Sequence, residues 1–312
     1  MATTTNNQSL NLKINQNDHL LSWLEAFLKD RKAQGFSPST IRYYKIWLST
    51  FADFCASRLI TQITQITTSD LREYMLLLEE KGHNPGGRHQ GYRTVKTFLY
   101  WWEQEVEPIG WSNPIRKVKA PKLTIEPLIP VSLDDIKLMI ETCDKSFCGL
   151  RDKAIILGLL DTGARANEFI EVKLNDYNQF SGEILIRHGK GGKYRTVFFG
   201  KITRRAIRAY INNRTDFSDA LWVTIQGEQL TYFGLREIIR RRAVKAKIKT
   251  PSIHSFRRAF AINMLRAGVD VFSLQKLMGH ADLQVLRRYL AQTTEDIAHA
   301  HRIGSPVDNN KL

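Results

Sequence analysis

Cysteine is scarce in this sequence. The 312 residues include only Cys55, Cys143 and Cys148, and no two of them form a CxxC pair. A disulfide framework or a cysteine-rich zinc site needs more cysteines at closer spacing, so we expect neither. Three isolated cysteines indicate a reducing compartment, where each behaves as a small buried hydrophobic residue.

Long apolar runs are also missing. A membrane-spanning helix needs about 20 predominantly apolar residues in a row, and no stretch of the sequence approaches that length. The first residues, MATTTNNQSLNLKINQND, are polar and contain no apolar region typical of a signal peptide. We therefore predict a soluble, cytoplasmic protein without a membrane partner, in which residues 1–17 form a flexible arm.

Acidic residues are too few to balance the basic ones. The sequence has 31 Asp and Glu against 46 Lys and Arg, which gives a formal net charge of +15. Residues 201–250 carry much of the excess, with 12 basic and 4 acidic residues. This charge favours a polyanionic partner such as nucleic acid; a merely soluble basic surface is the alternative. No carboxylate cluster suggests a magnesium site, so we predict no metal and no other cofactor.

The first third of the sequence shows the apolar periodicity of α-helices. Hydrophobic residues make up 43% of the chain and aromatic residues 10%, which is enough for two domains with real cores. Apolar spacing predicts four helices, over residues 20–34, 37–58, 68–82 and 88–106. Ser37 is the expected N-cap of the second helix, and Pro38 its first residue. Together these helices make a predicted domain of residues 18–112.

A change of composition separates this domain from the next. Residues 113–130 contain four prolines and four basic residues, which predicts an extended basic linker. The second domain, residues 131–312 with a C-terminal tail, begins at a predicted capping box of Ser132 and Asp135.

The second domain combines helices with one hairpin. Helices are predicted over residues 133–143 and 150–161, before a turn at Thr162 and Gly163. The segments GEILIR and YRTVFF predict two antiparallel strands, and helices return from Thr203 to about residue 303. The expected fold class is therefore mostly α, with a small antiparallel β-sheet in the second domain.

Two motifs in this domain place basic residues at turns. DTGARANEF puts Arg165 just after a glycine turn at a helix start, with Glu168 three residues on, where it can orient a basic side chain. GKGGK puts Lys190 at the tip of the hairpin. By themselves, these motifs are equally compatible with a surface arginine and a flexible turn. GKGGK is not a P-loop, because Lys193 is followed by Tyr194 rather than Ser or Thr.

Two further motifs carry histidine, arginine and tyrosine. HSFRRAF places His254 and Arg257 on one face at a helix start, where unpaired N–H groups and cations favour an anion such as phosphate. LMGH followed by LRRYL places His280 nine residues before Tyr289. Taken singly, His254 is equally suited to cap its helix, His280 to lie in a loop, and Tyr289 to pack in the core.

The ordered set of these motifs resembles the tyrosine recombinase family, also called phage integrases, which includes the Xer recombinases. The family patterns TG-x-R-x-x-E, GKG, H-x-[LF]-R, and L-G-H with a tyrosine nine residues later all have matches here, and the resemblance covers nearly the whole chain. Arg258, Ala259 and Leu286 depart from residues frequent in the family, but they replace no catalytic group.

The resemblance implies a two-domain DNA clamp with a SAM-like helical first domain and a catalytic second domain. It implies that Tyr289 attacks the phosphorus, that Arg165 and Arg257 hold the non-bridging oxygens, and that Lys190 protonates the leaving oxygen. His254 and His280 would bind the phosphate, with His254 the better acceptor of the tyrosine proton.

The implied function is site-specific recombination through a 3′-phosphotyrosyl intermediate, without metal or ATP. Its implied partners are double-stranded DNA at specific sites, a tetramer of this chain on DNA, and an accessory DNA-bending or directionality factor. The location would be the cytoplasm, at the nucleoid of a prokaryote or phage host. The alternatives are DNA relaxation of the type IB topoisomerase kind, and sequence-specific DNA binding without strand exchange.

Contacts to the DNA are expected from basic residues in both domains. Arg42, Tyr43, Tyr44 and Lys45 combine aromatic and basic groups, although half-buried core positions with solvated cations explain them equally well. The candidate DNA contacts are Arg42, Tyr43, Lys45, Arg88, Arg93, Lys117, Lys119, Arg240, Arg241 and Arg258.

Overall fold

The computed structural model describes residues 19–123, 129–187, 194–279, 298 and 301–310. The chain divides into two compact units, Met1–Ile125 and Glu126–Leu312. Within the described ranges, no helix combines the length and the apolar character that crossing a membrane requires. The boundaries predicted for the arm, the domains and the linker stay a prediction.

The first unit contains the four predicted helices. They are α1 (Leu20–Ala33), α2 (Pro38–Ser57), α3 (Thr68–Glu80) and α4 (Pro85–Val106). The Oγ of Ser37 accepts the backbone N–H of Thr40 at 3.2 Å, and Pro38 is the first residue of α2, as predicted. The fourth helix begins three residues before its predicted start, because Asn84 caps it and Pro85 suits the first helical position.

Aromatic side chains fill the core of the first unit. Phe27 and Trp102 are fully buried, and Phe27 meets Phe98 edge to face with ring centroids 5.7 Å apart. Trp23 meets Trp102 in the same way at 6.3 Å. The helix α4 packs against the other three helices. Edge-to-face geometry is favourable for aromatic pairs, so these ring contacts stabilise the packing in addition to the buried apolar area.

The start of the predicted linker is not extended. Pro114–Lys117 form a 3₁₀ helix, and Ile115 packs in the core of the first unit with 1% of its area exposed. The hydroxyl of Tyr92 donates to the carbonyl of Val118 at 2.9 Å. The prediction of an extended conformation is therefore wrong for this segment, because Ile115 and Val118 are apolar enough to pack in the core of the first unit despite the prolines and charges around them, and the 3₁₀ helix contacts α3.

The second unit is mostly helical with one hairpin, as predicted. Its helices are α5 (Leu133–Glu141), α6 (Phe147–Thr162), α7 (Ala166–Ile170), α8 (Lys201–Ile211), α9 (Tyr232–Lys245), α10 (Ile253–Arg266) and α11 (Val271–Met278), and a short helix covers Pro306–Asn310. Strands β1 (Glu183–Ile186) and β2 (Arg195–Phe198) pair antiparallel, with Ile186 opposite Arg195. A 3₁₀ turn also occurs in each unit, at Ile63–Gln65 and Leu174–Asp176.

The buried helix α6 organises the second unit. It packs against α5, α8, α9, α10 and β2. It begins at Phe147, three residues before the predicted start, because the Oγ of Ser146 accepts the N–H of Gly149. It ends where Gly163 adopts a φ of +56°. A Cβ at Gly163 would lie 2.2 Å from the Phe260 ring, so only glycine fits this turn.

A buried ion cluster joins three helices of the second unit. Asp152 on α6 accepts hydrogen bonds from its neighbour Arg151 and from Arg242 on α9. Arg242 also donates to the carbonyl of Thr142 at the end of α5. All three charged residues are at most 5% exposed, so the carboxylate satisfies two guanidinium groups that would otherwise be costly to bury.

Candidate active site

The turn between α6 and α7 presents the first site arginine. Arg165 occupies the N-cap position of α7, and its side chain is 32% exposed. Its Nη1 donates to Oε1 of Glu168 at 2.8 Å, and its backbone N–H donates to Oε2 at 2.9 Å. The predicted contact between Arg165 and Glu168 is present.

Glu168 itself is buried, with 4% of its side chain exposed. Its Oε2 accepts a second hydrogen bond from Nη2 of Arg195 on β2, at 2.6 Å. Burial alone would raise the pKa of Glu168, but the hydrogen bonds from Arg195 and Arg165 outweigh it and lower the pKa to about 2. The carboxylate is therefore ionised and shared between two arginines.

The helix α10 supplies the second arginine. Ser252 is its N-cap, so His254 lies within the first turn and does not cap the helix. Arg257 is 2% exposed, and it donates through Nη1 to the carbonyl of Gly163 at 2.5 Å and through Nη2 to that of Met278 at 2.7 Å. Its neighbour Arg258 instead reaches the carbonyl of Ile129 at 3.4 Å. Only the first arginine of the pair therefore joins the site of Arg165.

His254 is exposed beside this cluster. Partial desolvation, followed by the positive charges of Arg258, Arg257 and Arg165, lowers its pKa below the usual value. The imidazole is therefore neutral at pH 7, and a neutral imidazole can accept a proton.

The end of α11 holds the arginines together. The carbonyl of Leu277 accepts from Nε of Arg195 at 3.0 Å, while Met278 accepts from Arg257 and Gly279 from Nη2 of Arg165 at 3.3 Å. The last carbonyls of a helix have no partner within the helix, and they carry its negative dipole end. Three consecutive orphan carbonyls thus each bind a different arginine, directly before His280 in the sequence.

Three of the predicted site residues, Lys190, His280 and Tyr289, lie outside the described residues. The structure brings together Arg165, Glu168, His254 and Arg257, which are the other members of the predicted set. Within the described ranges, no three His, Cys, Asp or Glu side chains form a group that could hold a metal ion.

Sequence reasoning missed Arg195. The alternation along β2 contained a signal for it, because Arg195, Val197 and Phe199 share one face and the last two are buried. An arginine on the buried face of a strand needs a buried acceptor, and Glu168 is that acceptor.

The residues predicted to contact DNA differ in exposure. Arg42, Lys45, Arg93, Lys117, Lys119, Arg240 and Arg241 are exposed. Arg88 and Arg258 are half-buried, and Arg88 pairs with Glu79 at 2.6 Å. Tyr43 is also half-buried and packs against the core of the first unit, and its hydroxyl lies 3.4 Å from the carbonyl of Gln90. For Tyr43, the structure therefore favours the alternative of a half-buried core position.

Comparison with known proteins identifies relatives along nearly the whole chain. Residues 131–296 match the phage integrase family, and residues 23–105 match the phage integrase N-terminal SAM-like domain. Tyrosine recombinase XerC of Myxococcus xanthus is 30% identical over 301 residues, covering 92% of this chain and 97% of the relative. Tyrosine recombinase XerA of Pyrococcus furiosus is 30% identical over 292 residues, with 92% and 95% covered.

A solved structure shows the same fold. The Tn1549 transposon integrase in complex with a circular intermediate DNA superposes with a TM-score of 0.74 at 20% identity, covering 91% of this chain and 98% of that one. A mostly helical chain of two units, with arginines gathered at one helix end, has the architecture of a tyrosine recombinase. The chain belongs to the phage integrase family and acts as a site-specific tyrosine recombinase that cleaves and rejoins DNA. The predicted fold class and the predicted function of a site-specific tyrosine recombinase are confirmed, and the two alternative functions find no support.

Proposed function

We propose that this chain cleaves double-stranded DNA at specific sites through attack of Tyr289 on a phosphate held by Arg165 and Arg257. The observation that supports this most directly is the position of both guanidinium groups on the adjacent carbonyls of Gly279 and Met278. Planar guanidinium groups suit the oxygens of a phosphate, and a rigid pair needs no reorganisation when charge develops in the transition state.

The remaining groups complete the reaction. The Tyr289 oxygen forms a bond to phosphorus as its proton passes to the neutral His254, and the bond to the 5′ oxygen breaks as Lys190 protonates that oxygen. His280 donates a hydrogen bond to the phosphate. The product is a 3′-phosphotyrosyl bond, which a 5′-hydroxyl of another strand attacks to rejoin the DNA. Neither metal nor ATP takes part.

The basic surface serves the same function. The net charge of +15 and the exposed cations predicted as DNA contacts suit binding to the phosphate backbone, with base contacts selecting the site. A tetramer of this chain would synapse two sites, assisted by a DNA-bending or directionality factor. The Tn1549 transposon integrase, which shares this fold, is solved in complex with DNA, and this supports DNA as the partner. We expect the protein to act in the cytoplasm, at the nucleoid.

A covalent trap tests the proposal. The probe is a set of nicked duplexes made from the DNA that flanks the gene; after cleavage the short strand diffuses away, so the protein stays attached. In EDTA, the wild-type chain should form an SDS-resistant adduct, and Tyr289→Phe should form none while binding the duplex with near-normal affinity. An adduct with Tyr289→Phe would mean that another residue is the nucleophile, and cleavage only with a divalent ion would indicate a nuclease mechanism.

A further inference from the structure

Arg195 occupies a position that the reaction scheme above does not use. Its side chain is 10% exposed, and it bridges two parts of the site. Nη2 donates to Glu168, and Nε donates to the carbonyl of Leu277. A Cβ added at Gly279 would lie 2.9 Å from the Arg195 Cδ, so the end of α11 rests directly on this side chain.

The charges around Glu168 show what Arg195 contributes. Glu168 contacts both Arg165 and Arg195, and Arg257 lies on the next carbonyl along α11. Three guanidinium groups and one carboxylate leave a net charge of +2 on these four residues. Without Arg195 the net charge falls to +1, because the Glu168 carboxylate then neutralises Arg165 alone. A phosphate in the transition state needs the positive charges of both Arg165 and Arg257.

We propose that Arg195 is a positioning residue: it neutralises the buried Glu168 carboxylate, so that Arg165 keeps its charge for the scissile phosphate. The proposal rests on the proposed function of Arg165 and Arg257. In this proposal Arg195 acts through Glu168, whose carboxylate it binds, and not on the DNA itself. It lies on β2, five positions after Lys190, and it also ties the hairpin to the carbonyl of Leu277. The next two carbonyls along the chain hold the other two arginines.

Single-turnover cleavage of a nicked duplex that traps the wild-type protein measures the effect. At saturating DNA, we expect Arg195→Gln to cleave about 10–100-fold more slowly, which is the range typical of residues that orient the groups in direct contact with a ligand. The Kd for the duplex should change less than about threefold. The matched control is Arg187→Gln. Arg187 belongs to the same hairpin and pairs with the buried carboxylate of Asp176, but that carboxylate does not contact Arg165 in the structure. Its cleavage rate should equal that of the wild type.

Charge restoration separates positioning from a structural role. Glu168→Gln in the Arg195→Gln background returns the net charge to +2, so the double variant should cleave at least about fivefold faster than Arg195→Gln alone. Arg195→Lys keeps the charge and should stay within about tenfold of the wild type. This variant also carries the test if Arg195→Gln does not fold, as judged by circular dichroism.

Three results would overturn the proposal. They are wild-type cleavage by Arg195→Gln, no recovery in a folded double variant, and an Arg195→Lys variant that cleaves more than about tenfold below wild type. A failure of the proposed function is recognised separately, because cleavage would then survive in Arg165→Ala and Arg257→Ala.

Discussion

Two adjacent arginines, Arg257 and Arg258, differ in what they contact. Successive helix positions lie about 100° apart around the axis, so adjacent side chains face different surroundings. Arg257 faces the α6–α7 turn and the end of α11, where its guanidinium meets the carbonyls of Gly163 and Met278. Arg258 remains half-buried and reaches Ile129. What each arginine contacts therefore depends on the direction in which it faces around the helix axis.

This difference predicts unequal effects on cleavage. Arg257→Ala should slow formation of the covalent adduct by about 10²–10³-fold, because one donor to the transition-state oxygens is worth roughly 3–4 kcal/mol. Arg258→Ala should slow it less than about tenfold and serves as the matched control. Single-turnover rates on the trapping duplex check both. A larger loss in the Arg258 variant would reverse the assignment of the two arginines.

The turn between α6 and α7 matters at the scale of elements. It presents both Arg165 and the carbonyl that holds Arg257, and its shape depends on Gly163. Because Phe260 packs where a Cβ would lie, this turn is fixed by α10 as well as by its own backbone conformation. The site is therefore rigid at the point where two elements supply its arginines.

We predict that Gly163→Ala impairs both folding and cleavage. A left-handed alanine costs about 1–2 kcal/mol, and the clash with Phe260 adds to it by displacing the Gly163 carbonyl. Gly268→Ala is the control, since Gly268 also has a positive φ, of +85°, but has open space around its Cβ position. Thermal unfolding should show a loss for both variants, whereas adduct formation should fall only for Gly163→Ala. Normal cleavage by a folded Gly163→Ala would contradict this.

The ion cluster on α6 predicts a second loss of stability. Asp152→Asn leaves Arg151 and Arg242 buried without a counter-charge, so the free energy of unfolding should fall by about 3–5 kcal/mol. Asp219→Asn is the control, because its pair with Lys173 is largely exposed and an exposed ion pair contributes little to stability. Urea unfolding of both variants measures the difference. Equal midpoints would show that the cluster contributes nothing beyond a surface pair.

At the scale of the whole molecule, the proposed reaction joins several copies of the chain on DNA. The segment from Ala291 to Leu312 contains QTTEDIAHAHR from Gln292 onward, and its spacing predicts a short amphipathic helix. Residues 291–297, 299–300 and 311–312 lie outside the described residues. We predict that this segment mediates assembly on DNA. Packing on its own domain is the alternative.

Truncation after Thr293 tests this prediction. Binding to a single site and adduct formation should survive, while synapsis and strand exchange should be lost, because only the latter need contacts between copies. Electrophoresis of two-site complexes and a plasmid recombination assay measure the two activities. Full recombination by the truncated chain would exclude a role in assembly. Loss of single-site binding or of solubility would favour packing within the chain.

Local signals in the sequence were sufficient for the elements and for the class of protein. Helical periodicity and caps such as Ser37 are properties of a few neighbouring residues, and they predicted all four helices of the first unit and the hairpin of the second. Local patterns were less reliable where a capping residue moved the start of a helix, as at Pro85 and Phe147. They also failed at Pro114–Lys117, where Ile115 and the following Val118 pack in the core.

The organisation of the site depends on contacts between distant parts of the chain. Arg165 meets Gly279 across 114 positions, and Arg195 meets Leu277 across 82. No periodicity or motif encodes such a pairing, because it arises only when helices and strands pack and bring orphan carbonyls beside buried guanidinium groups. The motifs therefore predicted which residues carry the chemistry, including Arg257 rather than Arg258, whereas only the tertiary fold brought Arg195 to Glu168.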